Sequence, residues 1–285
     1  MGMLGLKIDV DTHQGMRQGV PRLLATLSEF GMHATFFLSI GPDNSGRAIL
    51  PMIRNPLFLK KMIRTNAVGL YGWKTALYGT LLRPPMIALS FPDIVRRIIE
   101  DGHEVQLHAW DHRRWQDELA QKSPAWIYSW FDQGIAGFEE LVGHRPEAFG
   151  APSWVIDDRV LEIMKKYKFA YVSCTRAQAP FIHEIADILE IPSDLPCFEE
   201  LPGQNATSVI VRTAADGNNH VLPVHAEVEG GIFNNQFRDL LKNLLAAGVR
   251  TAPLAEIKKN LALDNLPRRR YRMTLLSGRH SPCAV

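Results

Sequence analysis

Cysteine is scarce in this chain. Among 285 residues there are three, Cys174, Cys197 and Cys283, with no CxxC spacing and no even framework. A disulfide scaffold is excluded, and buried thiols in a reducing compartment are expected. The first residues also lack the basic-then-apolar order of a secretory signal, because Lys7, Asp9 and Asp11 arrive too early. A cytoplasmic chain is the expectation. No internal repeat is found, and no strong excess of one charge: 32 Lys and Arg against 30 Asp and Glu leave a net +2. The average charge therefore names no partner. Hydrophobic residues make up 46% of the chain, ample for a large core.

One stretch lacks acid altogether. From Asn44 to Pro92 there is no Asp or Glu, while seven Lys and Arg lie among aromatic and aliphatic residues such as Phe58, Tyr71, Trp73 and Leu81. Gly69, Gly72, Lys74 and Gly79 interrupt its apolar windows, so it is not read as a spanning helix. Basic, aromatic and aliphatic residues together suit a membrane interface. Residues 44–92 are expected to form an amphipathic helical insertion that caps the fold and faces a membrane. The plainer alternative is a helical insertion packed on the body of the fold, its cations solvated. A second basic segment, 265–285, opens with Arg268, Arg269, Arg270 and Arg272. It reads as a disordered tail, with attraction to anionic lipid as the alternative. Nothing else in the chain supports nucleic-acid binding, and no protein partner is implied.

What is present is alternation. Leu4–Val10 and residues 33–41, 103–108, 147–153, 170–174, 207–213, 220–228 and 249–254 read as strands. Residues 21–30, 91–102, 123–143, 157–169, 234–248 and 255–263 read as helices, with Pro near several starts and Gly after several ends. Repeated strand–helix units imply parallel strands and crossover helices. About seven or eight such units favour a closed or nearly closed barrel over an open sheet. The expected fold is α/β, a distorted (β/α)7–8 barrel, with residues 1–264 as a single catalytic domain. In either architecture the chemistry sits at the C-terminal ends of the strands.

The sequence LGLKIDVDTHQG (4–15) places two acids at the end of an apolar strand. Asp9 and Asp11, two apart, face the same space. Two carboxylates that close either share a proton or hold a cation. LHAWDHRRW supplies His108 and His112, four apart. If the strand ends at Leu107 and the chain turns into a helix, both rings fall on one face, within reach of one divalent ion. HxxxH alone is a weak signal; beside a strand-ending DxD it is stronger. LPVHAEVEGG brings His225 to another strand end, with Glu227 as its i+2 partner. A DxD-type phosphotransferase is the competing reading of the first strand, but it leaves His108, His112 and His225 unused.

IDVDT, LHAWDH and VHAEVEG, in this order, resemble the polysaccharide deacetylases (nodulation protein B-type, carbohydrate esterase family 4). GVPRLL, GPDN, LYGW and HAEVEG narrow the resemblance to a branch that deformylates 4-deoxy-4-formamido-L-arabinose carried on undecaprenyl phosphate. The resemblance spans at least Leu4 to Leu254. It implies one divalent metal ion, zinc, cobalt or manganese, held by Asp11, His108 and His112. It implies Asp9 as general base and His225 as general acid. It also implies a lipid-linked amino sugar as substrate and a peripheral place on the cytoplasmic face of the inner membrane, in lipid A modification and cationic peptide resistance. Trp154, Arg176, Glu227, Tyr71 and Trp73 are the residues expected on the substrate side. The alternatives are deacetylation of another N-acylated sugar, or a non-enzymatic sugar- or lipid-binding relative. The latter predicts a broken triad, and this one is complete. One departure stands out. Many members orient the base with an Arg-Pro-rich motif, and the corresponding GAPSW (150–154) has no Arg. Arg176 is the basic residue expected to take that place.

Overall fold

The computed structural model describes residues 2–49, 78–201, 205–279 and 281–285. Tyr71 and Trp73, and most of the expected insertion, lie outside the described residues.

Strand β1 (Met3–Val10) is buried along its whole length, as a near-continuous apolar run predicts for a strand covered on both faces. Helix α1 (Val20–Glu29) starts with Pro21 and ends before Gly31, whose φ of +62° few other residues adopt. The chain continues through β2 (Thr35–Ser39), α2 (Pro92–Glu100), β3 (Glu104–Ala109), α3 (His112–Glu118), α4 (Pro124–Val142), β4 (Ala148–Phe149), α5 (Asp158–Met164) and β5 (Tyr171–Val172). Then come β6 (Phe181–His183), β7 (Ile188–Glu190), α6 (Ala206–Ala214), β8 (His220–His225), α7 (Asn234–Ala246), β9 (Arg250–Ala252) and α8 (Leu254–Lys259). Three short strands finish the chain: β10 (Arg268–Arg269), β11 (Met273–Thr274) and β12 (Cys283–Ala284).

The sheet order is β10-β6-β7-β5-β4-β3-β2-β1-β8, with β9 also on β1. All its pairings are parallel except β6 with β7. After β7 the chain runs irregularly across the gap. Ile191 N–H donates to Val172 O (2.8 Å), Ser193 N–H to Thr175 O (2.9 Å) and Leu195 N–H to Val221 O (3.2 Å). Hydrogen bonds from this segment, instead of a regular strand pair, join β5 to β8. The α/β barrel is therefore distorted.

Two expectations are corrected here. Residues 207–213 form part of helix α6, not a strand. Their β-branched residues suggested a strand, but Asn205 caps Ser208 N–H (3.1 Å), and Ile210 and Ala214, one turn apart, are the buried side chains. The C-terminal segment is not a disordered tail. β10 pairs with β6, β11 with β12, and Cys283 and Ala284 are fully buried.

An aromatic cluster fixes the loop after β3. Trp115 of α3 packs against Trp130 of α4 with ring centroids 4.3 Å apart and planes tilted by 41°, and both meet Phe149 of β4. Burying a ring such as Phe149 contributes about 1.5–3 kcal/mol. Trp130 Nε1–H donates to the Asp111 carbonyl (3.3 Å), tying the cluster to the loop that leads into His112. The insertion leaves and returns beside the same loop. Pro42 bridges to Met86, Asp43 N–H donates to Pro85 O (2.8 Å), and Asn44 Nδ2 donates to Asp111 Oδ2 (2.7 Å). The GPDN stretch is thus a neck at the mouth of the barrel.

Candidate active site

Asp11 follows directly on β1. His108 lies near the end of β3, which runs through Ala109, and His112 opens α3. The two imidazoles therefore do not share a helix face, as the sequence suggested; one stands on a strand and one on the first turn of a helix. They converge all the same, with ring centroids 5.2 Å apart. His108 Nε2 is 3.1 Å from Asp11 Oδ1, and His112 Nε2 is 3.4 Å from Asp11 Oδ2. One ligand atom from each residue lies within 4.8 Å of the others.

This donor set fits a divalent cation. His108 Nδ1 donates to the Gly150 carbonyl (2.8 Å), which leaves the lone pair of Nε2 turned toward Asp11. Asp11 Oδ1 is buried and makes no hydrogen bond among the described residues. A lone pair facing a carboxylate oxygen is repulsive unless a cation lies between them. Burial pushes the Asp11 carboxyl upward, but His112, His108 and His225 outweigh it and hold it far below the usual carboxylate range. Burial lowers His112 to about 4 against the pull of Asp11, so its ring is neutral near pH 7. An ionised carboxylate and a neutral imidazole are the forms that bind metal.

Asp9 and His225 stand side by side. They are register partners on β1 and β8, and Ala226 N–H continues the ladder to the Asp9 carbonyl (2.9 Å). Asp9 is 3% exposed. Its carboxylate is gripped by Lys7, two residues earlier on the same side of β1, with Nζ 2.6 Å from Oδ1 and in contact with Oδ2 as well. The His225 N–H is held by Glu229 Oε2 (2.7 Å), and the edge of Trp154 meets its ring with centroids 6.3 Å apart. Ser153 and Trp154 both adopt positive φ, 54° and 55°, a strained conformation that aims the indole at this wall.

The remaining sequence candidates divide. Trp154 is at the site, its ring flanked by Lys7, Arg176 and Arg279 at 5.5, 4.8 and 4.7 Å. Arg176 does not orient Asp9. It is buried, and it donates to Ser193 O, Leu195 O and Glu200 Oε1 at 2.7, 2.9 and 2.7 Å. Glu227 is tucked under the turn after β1, with Oε2 3.5 Å from Thr12 Oγ1. A Cβ on Gly15 would lie 2.4 Å from that oxygen, so the glycine gives Glu227 its place. Sequence reasoning missed Lys7 and the Gly150 carbonyl. A lysine inside an apolar strand, two residues before an acid, was the available signal for the first.

The sequence family described as Polysaccharide deacetylase matches residues 6–172, which carry Asp9, Asp11, His108 and His112. The chain belongs to the polysaccharide deacetylase family. As a member it is a hydrolase of carbon–nitrogen bonds other than peptide bonds. It is 34% identical over 267 residues, 92% of its length and 87% of the relative's, to the "Probable 4-deoxy-4-formamido-L-arabinose-phosphoundecaprenol deformylase ArnD" of Shewanella sediminis (strain HAW-EB3). A protein of the same name from Wigglesworthia glossinidia brevipalpis is 29% identical over 276 residues, covering 93% of this chain and 96% of that one. Among solved structures, one assigned to the polysaccharide deacetylases from Mycobacterium smegmatis superposes with a TM-score of 0.65 at 20% identity, over 96% of this chain and 94% of the other. That likeness supports the fold.

Proposed function

We propose that this enzyme hydrolyses the formamide of 4-deoxy-4-formamido-L-arabinose carried on undecaprenyl phosphate. The products are formate and the free amino sugar, used in lipid A modification and cationic peptide resistance. The observation that carries the reading is the convergence of Asp11, His108 and His112 beside the Asp9–His225 pair, in a chain similar over nearly its whole length to proteins named for that reaction. Asp11, His108 and His112 would hold one divalent ion, and two imidazoles with one carboxylate suit zinc, cobalt or manganese. When bound, the ion would supply Lewis acidity, polarising the amide carbonyl and acidifying water. Asp9 takes the proton of the attacking water as general base. His225, on the neighbouring strand, gives a proton to the departing amine. Trp154 walls the sugar side next to His225.

The substrate's lipid gives the insertion its use. Its neck, at Pro42 and Met86, opens at the mouth that holds the ligands, and Leu81 beside it is 81% exposed. Among the described residues no helix is long and apolar enough to cross a membrane. We place the enzyme peripherally on the cytoplasmic face of the inner membrane, with the insertion as its contact. Deleting Leu57–Leu82 should abolish sedimentation with anionic liposomes; unchanged sedimentation would remove the membrane role.

The reaction is tested by mass spectrometry of the lipid-linked sugar before and after treatment. Loss of the formyl group, with formate in solution, is the expected result. Acetate from an N-acetylated sugar, with the formamide intact, would move the assignment to a deacetylase.

A further inference from the structure

Lys7 is the least expected side chain in the barrel. It sits in the middle of β1, wholly buried between apolar neighbours, where an ammonium group must be compensated. Its Nζ contacts both carboxylate oxygens of Asp9. The ammonium also lies over the Phe37 ring, 4.9 Å from its centroid, and 5.5 Å from that of Trp154. Space for its stem comes from Gly150. A Cβ there would meet Lys7 Cε at 3.3 Å and Phe37 Cδ1 at 2.9 Å. Gly150 is also the residue whose carbonyl fixes the His108 ring. It opens the GAPSW stretch, where the expected arginine is missing.

These facts belong together. A base held by one cation on both oxygens has a single orientation, set by the rigid strand that carries both groups. We propose that Lys7 positions Asp9 for proton abstraction, and that Gly150 leaves the room that lets a cation from within β1 do so. The inference rests on the reading of Asp9 as general base. Lys7 touches no reacting atom; it acts through Asp9.

The test compares Lys7→Met, Lys7→Arg, Asp9→Asn and the Lys7→Met/Asp9→Asn double variant. Formate release from the lipid-linked formamido sugar gives kcat and KM, and elemental analysis gives bound metal. Lys7→Met should keep its metal and its KM and lose kcat by about 10²-fold, the scale of general-base catalysis. Lys7→Arg should recover most of that loss. Adding Lys7→Met to Asp9→Asn should cost little more, because both remove the same function. Wild-type kcat in Lys7→Met, or losses that multiply in the double variant, would overturn the proposal. Should Lys7→Met not fold, Lys7→Gln replaces it, with the same loss expected and the same result overturning it. If the wild-type enzyme releases no formate, the proposed reaction fails, and Lys7 is then judged on a crystal structure of the neutral variant. Asp9 must leave its wild-type rotamer while Asp11, His108 and His112 stay in place; an unmoved Asp9 overturns the proposal.

Discussion

The two ends of β8 carry histidines in opposite circumstances. His220 opens the strand, and both ring nitrogens are engaged: Nδ1 with Asp194 Oδ2 at 2.5 Å and Nε2 with Asp216 Oδ1 at 2.9 Å. A ring between two carboxylates carries two protons and is a cation. Burial works against that charge, but the bonds to Asp194 and Asp216 outweigh it and raise the His220 pKa. The partners respond differently. Burial raises Asp194 in spite of its bond, whereas Asp216, held first by the Asn218 N–H and then by His220, falls to about 2. The ring is charged because Asp216 is ionised and in contact with it. At the other end, His225 closes the strand next to Asp9, and nearby His112 is pushed down to about 4. There the His112 ring is neutral near pH 7, and Nε2 of His108 and of His112 turns toward the Asp11 carboxylate. The residue types are the same at both ends. Unspent lone pairs distinguish a site that can hold an ion from a closed salt bridge.

Four variants would break or sharpen that contrast. The largest effect should come from Asp11→Ala or His108→Ala, which should lose bound metal and bring turnover to background. His220→Ala should keep metal and turnover, and an equal loss there would erase the distinction. Next comes Glu190→Ala, inside a third cluster. The buried Glu190 carboxylate accepts from Cys174 N–H, Thr175 N–H, Thr175 Oγ1 and His183 Nε2 at 2.7, 2.8, 3.1 and 2.9 Å. Removing it leaves several buried donors unpaired and should cost about 3–5 kcal/mol in denaturant melts, with metal affinity little changed. The smallest effect is His220→Ala on stability, about 1.5 kcal/mol. A raised folded pKa means this contribution is fully present below the unfolded value near 6.5 and fades as pH climbs through the folded value. The gap in melting temperature between wild type and His220→Ala should therefore be wider at pH 6 than at pH 9. A gap that widens with pH would show the ring to be neutral.

Much of the site was legible because its residues interrupt apolar strands at their ends. Asp9 and Asp11 after LGLKI, His108 after EVQL and His225 after LPV each break a pattern that burial otherwise enforces. The register that brings Asp9 beside His225 was not legible, since β1 and β8 are far apart in sequence. Nor was the joining of β5 to β8 by residues 191–195, which follows no periodic pattern. β6 and β7, three residues each, are too short to show alternation. The tail was misread for a different reason. Arg268, Arg269, Arg270 and Arg272 suggested disorder; they are exposed, but Arg269 lies over the Phe181 ring at 4.2 Å, Arg268 donates to Asp187 Oδ1 (2.7 Å), and Arg176 N–H binds the Ala284 carbonyl (2.7 Å). Charge density alone cannot show that an arginine has an aromatic ring and a carboxylate waiting for it.

We propose different work for the two acids at the end of β1, Asp11 holding the ion and Asp9 moving the proton. Side-by-side measurement of bound metal and formate release in Asp9→Asn and Asp11→Asn tests this most directly. Asp9→Asn should bind metal as the wild type does and lose turnover by about 10²–10⁴-fold, whereas Asp11→Asn should lose both. Normal turnover in Asp9→Asn, or loss of metal from both variants alike, would contradict the division.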